Sequence, residues 1–317
     1  MAEGRDKKGD SLSHRGGTIP GTRKPAYTLS VPDGLPTPVI LAVPHAGRSY
    51  PEELWKRMRK PEWSALRLED RYVDRIATEV ARQTGAALMV AHAPRAMIDL
   101  NRASDDIDWS MVRGEGGQPG AAARPAPDSR ARSGLGLVPR RLPGHGEIWK
   151  APITGADLDA RVSQVHRPYH RALAEGLEAL RETWGAALLI DLHSMPPIHS
   201  AFAGDKPPRY VIGDRFGASC EDSIVEEALR TLAGLGEPVA HNRPYEGGYV
   251  LDQHGDPARG LHAIQIELCR SSYLDRDMAE LKPDYMRVAD MLAQLVGKLA
   301  VRVAALGRDD RPALAAE

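Results

Sequence analysis

Three titratable side chains stand at the ends of apolar runs of strand length: His45 after VILAVP, His193 after LLID, and Glu267 at the end of HAIQIE. Imidazole and carboxylate are the usual donors of a catalytic zinc, which takes three protein ligands and leaves one position for water. The joint pattern points to that chemistry, whereas each histidine alone is better explained as a hydrogen-bonded residue near the surface. Gly47, two residues past His45, lets the chain turn sharply and brings backbone close to whatever His45 holds. In LLIDLHSMP, Asp191 and His193 project to one side of a strand, because the strand period is two. Asp191 therefore either fixes the imidazole or caps the following turn.

A second group follows another apolar run. RAMIDLNRA ends in Asp99, Asn101 and Arg102, an acid, an amide and a guanidinium. The planar fork of Arg102 suits a bidentate pair with a substrate carboxylate, and a salt bridge to Asp99 or Asp105 is the competing use. NRPYEGGYV places Gly247 and Gly248 after Arg243 and Tyr245, a tight turn that only sometimes cradles a ligand.

The elements that must position these residues are legible as alternating patterns. PVILAVPH, AALMVAH, AALLIDLH, RYVIG and HAIQIEL have strand length, and several are continuously apolar, as strands covered on both faces are. Val162, Val165, Tyr169, Leu173, Leu177 and Leu180 recur at helical steps, as do Ile224, Ala228, Leu229 and Leu232. A further helix is expected around Met286 to Ala304. Strands interleaved with helices predict an α/β layered domain with helices on both sheet faces and ligands gathered at strand ends. Residues 1–24 carry few large apolar side chains and read as a loose tail, with one domain over 25–307 and a flexible end over 308–317. Residues 114–133, rich in Gly, Ala, Pro and Arg, form a long loop that is either a surface insertion or a mobile lid.

Composition narrows the function classes. Of 317 residues, 42% are apolar, enough for a sizeable core, while 42 basic against 43 acidic side chains give no positive field for nucleic acid or anionic lipid. Two cysteines without CxxC spacing, no apolar run of roughly 20 residues and a polar start to the chain lead us to expect a cytoplasmic protein without a membrane span.

Taken in order, VPHAGRSYP, EDRYVDRI, AMIDLNRA, GLGLVPR, HRPYHRAL, LLIDLHSMP, VIGDRFGASC, NRPYEGGYV and HAIQIELCR resemble the N-formylglutamate amidohydrolase family over about residues 38 to 275. DLHS and DLNR also resemble segments of aspartoacylase and the zinc carboxypeptidase-like deacylases. The resemblance implies a three-layer α/β/α sandwich around a mixed sheet, of the phosphorylase/hydrolase-like kind. It implies Zn2+ held by His45 and His193. Carboxypeptidase-like enzymes carry a glutamate ligand three residues after the first histidine, but that position here is Arg48, which cannot bind a cation. Asp70, which opens its motif, is the expected third ligand, with Glu69 and Asp74 as alternatives. Glu267 matches the catalytic glutamate, a general base toward water and then an acid toward the leaving amine. By the same resemblance, Asn101 and Arg102 hold a substrate carboxylate or the developing oxyanion. Arg140 and Arg243 either bind a second carboxylate or are solvated on the surface. The implied reaction is hydrolysis of a small N-acyl amino acid, typically N-formyl-L-glutamate to formate and glutamate, in amino-acid catabolism and histidine degradation. A deacylase or carboxypeptidase-like hydrolase of another N-acyl amino acid, and a non-catalytic metal-binding relative, are the alternatives.

Overall fold

Eight strands form the central sheet: β1 Ser11–Gly16, β2 Tyr27–Pro32, β3 Val39–Val43, β4 Ala87–Ala91, β5 Ala187–Met195, β6 Tyr210–Gly213, β7 Val239–His241 and β8 Leu261–Cys269. The computed structural model describes residues 11–113, 129–142, 144, 146–198 and 206–309. The strand order is β1-β2-β4-β3-β5-β8-β6-β7. The β4-β3-β5-β8 centre is parallel and so is β6-β7, whereas β1-β2, β2-β4 and β8-β6 are antiparallel. All nine residues of β5 and all nine of β8 are buried, as central strands of a sheet covered on both faces are.

Six helices matter for the site: α1 Pro61–Leu68, α2 Val73–Thr84, α3 Arg167–Trp184, α4 Asp222–Gly234, α5 Tyr249–His254 and α6 Met286–Asp309. On one sheet face Ile76 of α2, Ile224 of α4 and Leu292 of α6 share a core with the odd positions Val39, Leu41 and Val43 of β3. On the other, α3 buries Tyr169, Leu173, Leu177 and Leu180 against Ile40 and Ala42. The period of two in β3 and the amphipathic period of the helices thus build the expected three-layer α/β/α sandwich with a mixed sheet. No helix among the described residues is long and apolar enough to cross a membrane.

Two expectations change. The loose tail does not extend over residues 11–24: β1 pairs antiparallel with β2 from Ser11↔Pro32 to Gly16↔Tyr27, and Ile19 is fully buried. A ladder is held by backbone N–H and C=O groups, so an edge strand forms from polar side chains that a hydropathy reading discounts. The periodic stretch from Val162 is also not one regular helix, because Val162–His166 is a π segment ahead of α3. Residues 1–10 and most of the 114–133 loop lie outside the described residues, but residues 130–133 close it with a 3-10 turn. The end expected to be flexible from 308 begins inside α6, and residues 310–317 lie outside the described residues.

Candidate active site

His45 sits two residues beyond β3, Asp70 in the turn between α1 and α2, and His193 within β5, with two strand residues still to follow it. A backbone hydrogen bond from Asp70 N–H to His45 O (2.9 Å) joins the first two segments. Gly47 allows the His45 turn to lie against the segment just past β4: a Cβ there would stand 2.0 Å from Ala93 O.

One ligand atom from each of His45, Asp70 and His193 lies within 4.8 Å of the others, and all three side chains are buried. His193 Nδ1 is 3.0 Å and His45 Nδ1 3.5 Å from Asp70 Oδ2. The opposite nitrogens are tied to carboxylates, His45 Nε2 to Asp99 Oδ1 at 2.6 Å and His193 Nε2 to Asp191 Oδ2 at 2.7 Å. Asp191 therefore orients the imidazole rather than capping a turn. With Nε2 held, each ring turns Nδ1 inward, the arrangement that carboxylate partners impose on metal-bound histidines. His45 Nδ1 is buried without a hydrogen-bond partner among the described residues, an orphan that a cation would satisfy. Two nitrogens and one carboxylate oxygen are the donor set of a catalytic zinc, so the residues fit such an ion.

Asp70 has its second oxygen occupied: Ser194 Oγ donates to Oδ1 at 3.0 Å and Arg270 Nη2 at 3.2 Å. Only Oδ2 faces the histidines. The alternative carboxylates are engaged elsewhere, Glu69 with Arg71 (3.1 Å) and Asp74 with both guanidinium nitrogens of Arg48 (3.1 and 2.7 Å). Arg48 thus fills the sequence position of the missing glutamate ligand by holding Asp74.

Glu267 lies opposite His193 in the β5-β8 register, so its side chain emerges on the same face beside the imidazole. Burial pushes its carboxyl up to about 7, with His193 opposing and Asp70 adding to the rise. Gln265, two residues earlier, donates from Nε2 to Glu267 Oε1 (3.0 Å). Burial also pushes Asp99 upward, yet Arg95, whose Nε is 2.9 Å from Asp99 Oδ2, and His45 outweigh it and hold Asp99 well below the usual carboxylate range.

The sequence-expected binding residues divide. Arg102 lines the cleft of about 470 Å³ that also contains His45, Asp70, His193 and Glu267; its guanidinium is held by two carbonyls, Leu135 O (3.0 Å) and Asn101 O (2.6 Å). Asn101 also lines the cleft: Val250 N–H donates to its Oδ1 (2.9 Å), its Nδ2 donates to Gln265 Oε1 (3.2 Å), and that Nδ2 lies 3.3 Å from His193 Nε2. Gly248 makes that approach possible, since a Cβ there would stand 2.5 Å from Asn101 Oδ1. Arg140 does not reach the cleft, being paired with Asp108 and Glu147 (2.5 Å each). Arg243 is exposed and does not line the cleft, although Pro244 and Tyr245 after it do. A guanidinium's partner is set by tertiary neighbours, which the local motif does not specify.

Sequence reasoning missed Arg95, Gln265, Arg130 and Arg270, all of which line the cleft. Gln265 had a signal, because it shares the strand face of Glu267. The arginines had none beyond their motifs. Behind Arg102, His166 Nε2 is 2.8 Å from Arg102 O, and His170 Nδ1 is 3.0 Å from His254 Nε2. Burial lowers His254 to about 4 and His170 well below its ordinary value, so these rings are neutral supports.

A family model described as N-formylglutamate amidohydrolase matches residues 37–274. N-formylglutamate deformylases of Pseudomonas putida and Pseudomonas aeruginosa are 29% and 28% identical to this chain over 249 and 243 residues, in both cases 75% of this chain and 82% of the relative. The crystal structure of N-formylglutamate amidohydrolase from Ralstonia eutropha JMP134 superposes with a TM-score of 0.76 at 31% identity, covering 90% of this chain and 99% of that one. A gene product of Agrobacterium tumefaciens, 17% identical with a TM-score of 0.60 over 84% of this chain and 92% of that one, shares the fold.

Proposed function

The chain belongs to the N-formylglutamate amidohydrolase family, and on that premise we propose that it hydrolyses the formyl amide of N-formyl-L-glutamate to formate and L-glutamate. The observation that carries this reading is the buried His45, Asp70 and His193 cluster with Glu267 in register beside His193.

In this reading His45 Nδ1, His193 Nδ1 and Asp70 Oδ2 hold a zinc ion, which supplies Lewis acidity to the formyl carbonyl and to water. The remaining work falls to the chain. Arg102 binds the substrate carboxylate, with its own guanidinium fixed by the two carbonyls so that little ordering remains at binding. Glu267 takes a proton from the attacking water and delivers it to the departing amine nitrogen, so the carboxylate is regenerated in each cycle. Gln265 fixes one oxygen of Glu267 and leaves Oε2 to move the proton. Burial favours the protonated carboxyl, which suits the second transfer, and His193 opposes it, favouring the carboxylate needed for the first.

Metal analysis of the purified protein together with a hydrolysis screen across N-formyl, N-acetyl and N-succinyl amino acids tests the reading. About one zinc per chain and preferred turnover of N-formylglutamate are expected. Full turnover by a metal-free preparation, or a preferred acetyl or succinyl substrate, overturns it.

A further inference from the structure

With Arg140 paired to Asp108 and Glu147 and Arg243 outside the cleft lining, a dicarboxylic substrate still needs a cation for its second carboxylate. Among the arginines of the cleft, Arg95 is paired with Asp99 and Arg270 with Asp70. Arg102 is held by carbonyls only, and Arg130 has no ion pair among the described residues. Arg67 lies with its guanidinium 3.6 Å from the Trp63 ring centre.

Arg102 and Arg130 alone among these also line the adjoining chamber of about 580 Å³, so the two guanidinium groups stand at the passage between the reaction centre and that chamber. The other charges of the chamber have partners of their own: Arg215 pairs with Asp252 (2.6 Å) and lies 3.9 Å from Glu246, which lines both spaces, and Asp106 Oδ1 accepts from Ser129 Oγ and from Ala131 N–H. Arg132 lines the chamber but not the reaction centre.

Arg130 is exposed, yet the 3-10 turn that carries it, Arg130–Ser133, is anchored. Ala131 is 1% exposed, Asp106 holds both Ser129 and Ala131, and Leu135 N–H closes on Arg130 O at 3.0 Å. Leu135 O in turn accepts from Arg102 Nε. One turn therefore positions both cations. Burial keeps Arg102 below its ordinary pKa, with the repulsion of Arg95 and Arg130 adding to it and Asp99 and Asp106 opposing. A second carboxylate on the ligand would relieve that repulsion.

Resting on the formylglutamate reading above, we propose that Arg130 is the specificity-determining residue that receives the side-chain carboxylate of the substrate, while Arg102 receives the α-carboxylate. A cation placed for a carboxylate discriminates against the neutral amide, because the amide leaves it desolvated and unpaired.

The test compares kcat/KM for N-formyl-L-glutamate and N-formyl-L-glutamine, which share shape and differ in one charge, in the zinc-loaded wild type, R130A, R130E and R67A. Wild type should prefer the glutamate substrate. R130A should lower its turnover by about 10- to 100-fold through KM while changing that of the glutamine substrate less than about threefold, with R130E more severe. R67A should keep the preference. Equal losses on both substrates in R130A, or a preference lost in R67A instead, overturn the assignment. A wild type that cleaves both substrates equally defeats the dicarboxylate assignment but leaves formyl hydrolysis standing; a wild type that cleaves neither defeats the functional reading itself.

Discussion

Each histidine of the proposed metal cluster is presented by a carboxylate on its far side, and that pairing makes the strongest demands on single residues. Asp99 accepts His45 Nε2, Arg95 Nε and the Asn101 N–H (2.9 Å). Asp99→Asn keeps the shape but weakens the hold on the ring and removes the charge facing Arg95. Metal affinity measured by competition with a chelating dye should fall by about 10- to 100-fold; unchanged affinity would show that His45 is positioned by packing alone. Glu267→Gln should keep fold and metal but lower kcat by about 10²- to 10⁴-fold, because an amide cannot take a proton from water. A kcat equal to wild type would remove Glu267 from the chemistry.

Among the elements, β1 departs most from what its side chains suggest. It covers the edge of β2, and the segment after it buries Ile19 and ties Thr18 N–H to Gln164 O at 2.8 Å. Deleting residues 1–19 exposes the edge of β2 and loses Ile19, whose burial is worth about 1.5–3 kcal/mol. At roughly 2–4 °C per kcal/mol for a domain of this order, Tm in a thermal melt should fall by about 5 °C or more. No change in Tm would mean that the ladder contributes nothing net. The same scale explains Arg102: its backbone is held by His166 at the end of the π segment, and such segments frequently occur at functional sites.

Across the whole molecule, the cluster joins parts far apart in the chain: the loop after β3, the α1–α2 turn and the middle of β5. An ion bound there ties the sheet to the helical layer, so binding energy becomes folding stability. Zinc at about 1,000 times its Kd should add about 4 kcal/mol and raise Tm, and a chelator should reverse the gain. Asp70→Asn should abolish most of the zinc-dependent rise; a rise of the same size in that variant would place the ion elsewhere. Much of this architecture was already set by one-dimensional patterns. Apolar runs of strand length marked β5 and β8, helical spacing marked α3 and α4, and His45, His193 and Glu267 were legible because they sit near the ends of such runs. Asp70 came from the motif resemblance alone, for no local pattern distinguishes it from Glu69 or Asp74. The arginines were decided only by tertiary structure: Arg140 meets Asp108 and Glu147, while Arg95 and Arg130 reach the cleft. Burial periodicity is a property of neighbours along the chain, which sequence records, whereas the partner of a long charged side chain depends on which distant segment folds against it.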